Sequence, residues 1–143
     1  MRIADLLRKK GSAVATVTPE TTVTTLLAGL ADHNVGAMVV VAPDGSIAGI
    51  VSERDVVRRL HDHGPGLLDG PVSEIMTTLV ASCTPDDSVD QLSVLMTERR
   101  IRHVPVLDNG RLAGIVSIGD VVKNRMEQLE QSQEQLQAYI SQG

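Results

Sequence analysis

The 143-residue chain has almost no aromatic residues: one Tyr, no Trp and no Phe. Its core must therefore be aliphatic, built from Val, Leu, Ile, Ala and Met. The same scarcity argues against a single-stranded nucleic-acid surface, which stacks bases on aromatic rings. Cysteine is nearly absent too. Cys83 stands alone, so neither an internal disulfide nor a cysteine-based zinc site can form, and a reducing compartment fits. Its place before Thr84 suits a small apolar residue. Basic charge is in deficit: 13 Lys and Arg against 18 Asp and Glu leave a net charge of −5. Such a surface does not hold a phosphate backbone unless its basic residues gather locally. No stretch approaches the roughly 20 apolar residues of a membrane span. The opening "MRIADLLRKKG" lacks the apolar run of a signal peptide. These absences lead us to expect a cytoplasmic protein with neither membrane nor nucleic-acid partners.

What is present is a repetition. "GIVSERDVV" begins at Gly49 and "GIVSIGDVV" at Gly114. Upstream, "VTPETTV" from Val17 stands over "CTPDDSV" from Cys83, and "NVGAMVVV" stands over "RIRHVPVL" in the same register. The offset shrinks by one residue where "APDG" faces "DNG". A length change confined to a turn is what a structural repeat tolerates.

Each copy reads as the same series of elements. Residues 14–17 and 79–83 are extended segments ahead of a Thr-Pro pair, since the residue before proline leans toward extended geometry. Residues 22–32 and 88–99 have helical spacing, with Val23, Leu26, Leu27 and Leu30 on one face and Val89, Leu92, Leu95 and Met96 on its counterpart. Residues 37–41 and 103–107 are apolar and β-rich, "PDGS" and "DNG" are hairpin turns, and residues 47–51 and 112–116 are the return strands. Helices then begin at Ser52 and Ser117.

The fold class is α+β: two β-α-β-β-α repeats plus a C-terminal helix. Each repeat, of roughly 50 residues, is too small to bury a good core alone. The two are expected to pack sheet against sheet and share one. The first repeat spans residues 1–61 with an N-terminal helix. Residues 62–71 form a linker rich in Gly and Pro. The second repeat spans residues 72–125, where "VSEIMT" reopens the pattern of "IADLLR", and an amphipathic helix takes residues 126–143.

The motif Ser-x-x-Asp, at Ser52 and Asp55 and again at Ser117 and Asp120, follows a strand and opens a helix. One reading is a capping box, worth about 1 kcal/mol. The other is a binding cradle. A helix start offers free N–H groups and partial positive charge to a phosphate, a serine hydroxyl can donate to it, and a carboxylate can accept from both hydroxyls of a ribose. Ile50 and Ile115 could flank a flat base. The two readings are compatible.

With its "T-P…V" helix, its "HVPVLDNG" strand and the doubled "GIVSxxD", the chain resembles a tandem pair of CBS domains (a Bateman module), in particular the small stand-alone bacterial pairs. The likeness covers about residues 1–125. It implies two repeats related by a pseudo-twofold axis, with two clefts between them. It further implies an adenosine ligand such as AMP, ADP, ATP, S-adenosylmethionine or NAD(H). On that resemblance Ser52 and Ser117 approach phosphate, and Asp55 and Asp120 hold ribose. Thr18 and Thr84 lie near the base, with Val23 and Val89 beside them. Gly36 and Ala37, or Arg102 and His103, line the opposite wall. The copies differ where cations fall: Arg54 faces Gly119, and Gly36-Ala37 faces Arg102-His103. Inequivalent clefts follow. Arg54, Arg102 and His103 are the phosphate partners, guanidinium forks matching phosphate oxygens. For Arg54 a solvated surface residue is the alternative, and for His103 a structural one. Arg58 and Lys123 read as surface charges.

"HDH" at residues 61–63 has two imidazoles but no third metal ligand nearby. No arrangement suggests a nucleophile. From Val122, apolar residues at Val122, Met126, Leu129, Leu136 and Ile140 trace a heptad seam. It either packs on its own domain or forms a dimer coil; a homodimer is favoured. The expected function is a non-catalytic module that senses energy or redox state through an adenine nucleotide. It would modulate a protein partner or its own dimer, with no required cofactor and no metal. A scaffolding dimer with vestigial clefts is the alternative.

Overall fold

The computed structural model describes residues 1–78 and 81–142. The first half holds α1 (Ile3–Lys10), β1 (Thr16–Val17), α2 (Val23–His33), β2 (Ala37–Val41), β3 (Ile47–Ser52) and α3 (Glu53–His63). Two short 3-10 turns (Pro65–Asp69, Val72–Glu74) lead to β4 (Thr77–Thr78). The second half holds α4 (Val89–Arg99), β5 (His103–Asp108), β6 (Arg111–Ser117) and α5 (Ile118–Gln142). The tail is thus one helix of 25 residues continuous with the helix after Ser117. The extended segment expected at residues 79–83 falls partly outside the described residues. Its last residue, Cys83, pairs in parallel with Val106.

The duplication seen in the letters recurs in the backbone. Val17 pairs with Val40 as Cys83 pairs with Val106. Ala37 opposes Ser52 as His103 opposes Ser117. A register shift falls between Val40 and Val41 and again between Val106 and Leu107. Thr22 and Ser88 cap the two middle helices, each hydroxyl accepting an N–H three residues on, from Thr25 and Gln91 at 3.2 Å. Both helices end in a left-handed residue, Asn34 in one and Arg100 in the other. In the second hairpin Asn109 and Gly110 both have positive φ, as a tight two-residue turn requires.

The cores correct one expectation. Buried apolar residues form two clusters, not one shared core. Each repeat is closed by the segment that precedes the other. Ile3, Leu6 and Leu7 of α1 are buried with Cys83, Val89, Leu92 and Val104, inside the second repeat. Val72 and Ile75, ahead of the second repeat, are buried with Val23, Leu26 and Val40, inside the first. The backbone follows: Ile3 and Ala4 donate to the carbonyls of Asp87 and Pro85, while Val72 and Ser73 donate to those of Thr21 and Pro19. Such reciprocal docking is what a pseudo-twofold relation between repeats produces. The Gly- and Pro-rich stretch is also more than a tether, because Leu67 is buried in the first core and the Leu68 carbonyl accepts the Thr24 hydroxyl.

Two repeat-related glycines make room for these segments. A Cβ on Gly114 would lie 2.7 Å from a Leu7 methyl, and one on Gly49 would lie 2.5 Å from the Thr77 carbonyl oxygen. Met76, like Leu7, sits against its glycine. The cross-docking predicts where damage spreads. Ile3→Ala, at a fully buried site, should cost about 2–5 kcal/mol in stability. Amide exchange should then quicken first in β5 and β6, the distant repeat in sequence. Faster exchange confined to β2 and β3 would contradict the exchange of segments.

Candidate functional site

Both Ser-x-x-Asp motifs form capping boxes. The Ser52 amide donates to Asp55 Oδ2 at 2.9 Å, and the Asp55 amide donates to Ser52 Oγ at 3.3 Å. In the second copy the distances are 2.9 Å and 3.1 Å. The backbone carbonyls of Gly36 and Arg102 reinforce these helix starts by accepting from Glu53 and Ile118. At this level the repeats are alike. Their surroundings are not.

Around the first motif lies a cleft of about 360 Å³, within the range of small-molecule sites. One wall is the start of α3: Ser52, Glu53, Arg54, Asp55 and Arg58, with Gly36 and Ile50 beside them. The other wall comes from the second repeat: Arg100, Ile101, Arg102 and His103. Thr77, Thr78 and Ala81 close the side. The cleft therefore joins the two repeats. None of the guanidiniums of Arg54, Arg58, Arg100 and Arg102 pairs with an acidic side chain among the described residues. Four cations have gathered in one place on a chain of net negative charge. Asp55 keeps one carboxylate oxygen, Oδ2, in the cap; among the described residues its Oδ1 is approached only by the Thr77 hydroxyl, at 3.4 Å.

His103 lines this cleft, while its backbone pairs with Ser117 of the second motif. Burial is the main cause that holds its pKa below the usual 6.5. Asp120 and Glu53 pull upward, and Lys10 and Arg102 push further down. His103 is therefore neutral at pH 7, able to accept or to donate.

The second motif is occupied from within. Lys10, the last residue of α1, donates from Nζ to Asp120 Oδ2 at 2.6 Å and to the Ile115 carbonyl at 2.6 Å. Burial alone would raise the Asp120 pKa. The hydrogen bonds from Lys10 and Ser117 and the Lys10 charge outweigh it, and the carboxyl sits below its usual 3.8.

Of the residues expected from the sequence, Gly36, Ile50, Ser52, Arg54, Asp55, Arg102 and His103 meet in the one cleft. Ser117, Asp120 and Ile115 meet around Lys10. Thr18 and Thr84 lie exposed in turns, their amides donating to Thr21 Oγ1 and Asp87 Oδ2. Val23 and Val89 each open a helix and are buried in a core. Ala37 is buried as well. Arg58, read as a surface charge, lines the cleft, and so does Arg100, which the sequence reading passed over. Its signal was alignment with Asn34 at the end of the preceding helix. Cys83 is buried, its thiol pushed up to about 12 by burial and then by Asp87, so it behaves as an apolar residue. Among the described residues no three His, Cys, Asp or Glu side chains converge to hold a metal ion, His61 and His63 included.

Comparison with known proteins agrees with this geometry. The CBS domain profile matches residues 3–62 and 72–127. A mitochondrial CBS domain-containing protein of Arabidopsis thaliana is 36% identical over 99% of this chain and 72% of its own. The crystal structure of a CBS-domain protein of Agrobacterium tumefaciens superposes with a TM-score of 0.84 at 46% identity, covering 87% of this chain and 99% of that one. A CBS domain protein of Pyrobaculum aerophilum complexed with AMP gives 0.75 at 30% identity, over 84% and 89% of the two chains. The CBS domain is a regulatory fold without catalysis of its own, and on its doubled motif, its cross-docked repeats and these likenesses the chain belongs to the CBS domain family.

Proposed function

We propose that the chain is a nucleotide-sensing regulatory module that binds an adenine nucleotide (AMP, ADP, ATP or NAD(H)) in the cleft between its repeats. The observation that carries this reading is the company Asp55 keeps. A carboxylate with one oxygen open stands beside four guanidiniums that have no acidic partner among the described residues, a helix N-terminus and the apolar flanks of Ile50 and Ile101. Ribose, phosphate and base each find matching chemistry there. The relative complexed with AMP supports the ligand class. Because the cleft is walled by both repeats, a bound nucleotide favours whichever arrangement of the halves it contacts better. That preference would be the signal, passed to a protein partner or to the dimer.

The dimer is part of the same proposal. Val122, Met126, Leu129, Leu136 and Ile140 on α5 are all half or more exposed. At heptad spacing they suit a second copy of the helix.

Titration calorimetry tests the site. ATP should bind the wild type, and Asp55→Ala or Arg102→Ala should weaken it by about 1.5–3 kcal/mol, the usual effect of removing a charged hydrogen-bond partner. No heat with AMP, ATP or NADH would leave a scaffolding dimer as the better account. Protonation gives a second check. Phosphate beside His103 raises its pKa, so binding takes up a proton. Affinity should therefore increase as pH falls through 6.5 toward the free protein's lowered value, and decline as pH rises above the bound value. His103→Ala should flatten this dependence relative to wild type; an equal slope in both proteins would place the phosphates elsewhere. For the dimer, Leu129→Lys with Leu136→Lys should halve the mass seen by light scattering, and an unchanged mass would remove α5 from the interface.

A further inference from the structure

The two Ser-x-x-Asp cradles begin with the same capping geometry and end with different occupants. In the second, Lys10 sits at the carboxylate. Its ammonium donates to Asp120 Oδ2 and to the Ile115 carbonyl, both at 2.6 Å. A ribose would bring hydroxyl donors to the same carboxylate that the ammonium now meets. Lys10 and a ribose therefore compete for the Asp120 carboxylate, whose charge and Oδ2 the ammonium already holds.

This placement is built in rather than incidental. Ile3, Leu6 and Leu7 anchor α1 in the core of the second repeat. Leu7 sits directly over Gly114, the residue before Ile115. Lys10 lies one turn further along the same helix face. Gly11, with φ of 95°, ends the helix there. In the first repeat Met76 takes the part of Leu7 against Gly49, but the residue that reaches Asp55 is Thr77, short and neutral, at 3.4 Å. Among the described residues Asp55 pairs with no cation; Asp120 has one, held with about a quarter of each side chain exposed.

We propose that Lys10 is an internal surrogate ligand that keeps the second cradle closed to nucleosides, so that each chain carries one ligand site and not two. The inference rests on the nucleotide reading of the first cleft, and its test separates the two. Wild-type protein is first titrated with ATP; binding of one equivalent supports the reading of the first cleft. Adenosine, which carries no phosphate for the arginine-lined cleft, is then titrated into ATP-saturated wild type, Lys10→Ala and Lys10→Glu. The last variant expels the side chain by repulsion from Asp120, should the shorter one alter folding. The variants should each take up one equivalent of adenosine that the wild type binds at least tenfold more weakly. Asp120→Ala in the Lys10→Ala background should abolish that uptake. Equal adenosine binding by wild type and variants overturns the proposal. So does its absence in both variants when their thermal transitions are as cooperative as the wild type's. Failure of ATP to bind the wild type overturns the first reading alone, since adenosine uptake by the variants still decides the role of Lys10.

Discussion

The structure depends on a reciprocal exchange of short apolar segments. A repeat of this size cannot close its own core. Each therefore receives a wall from the segment that precedes its sister: α1 goes to the second repeat, and Val72 and Ile75 go to the first. The exchange has a steric condition. The strand that receives each segment must be bare at the point of contact, which is why Gly49 and Gly114 hold the corresponding positions. Once both segments dock, the repeats cannot drift apart without opening two cores together. A cleft with walls from both halves is then a fixed feature of the molecule.

That same exchange makes the two cradles unequal. The docked segments run on past their glycines toward the helix starts, and what they carry decides each cradle's chemistry. One delivers Lys10 to Asp120 and the other delivers Thr77 to Asp55. The opposite walls diverge in the same sense. Arg102 and His103 face the Asp55 side, where the sister strand has only Gly36 and Ala37. Positive charge is thus supplied to one cradle by loose surface guanidiniums, open to a ligand, and to the other by a single ammonium already engaged.

Much of this was legible in the letters. The aligned repeats set Val17 over Cys83, and the backbone repeats that equivalence, Val17 pairing with Val40 and Cys83 with Val106. Ser52 and Ser117 were recognisable as helix starts, and Arg102 and His103 as residues of a cleft wall. Val23 and Val89, which the periodicity put on the buried helix face, lie in the two cores. The role of Lys10 could not be read, because its partner lies 110 residues away and is reached only through the docking of α1. Arg58 and Arg100 share that difficulty. Each is an ordinary surface arginine along its own helix and becomes a cleft residue only when the second repeat is placed against the first.

Arg100 shows most clearly what the arginine cluster means. It ends its helix in a left-handed conformation, with φ of 54°, where the sister repeat uses Asn34. Asparagine adopts that geometry readily, whereas other side chains pay roughly 1–2 kcal/mol for it. Arg54, Arg58 and Arg102 meanwhile share a confined space with it, and like charges in a cleft repel. Neither the backbone strain nor the crowding is offset by an ion pair with a described residue. A polyanion between the walls would relieve the repulsion, since it touches α3 of one repeat and the Arg100–His103 stretch of the other at once. On the proposed reading, the ligand's work is to replace mutual repulsion across the cleft with attraction. The free energy of that replacement is what sets the two halves in their bound arrangement.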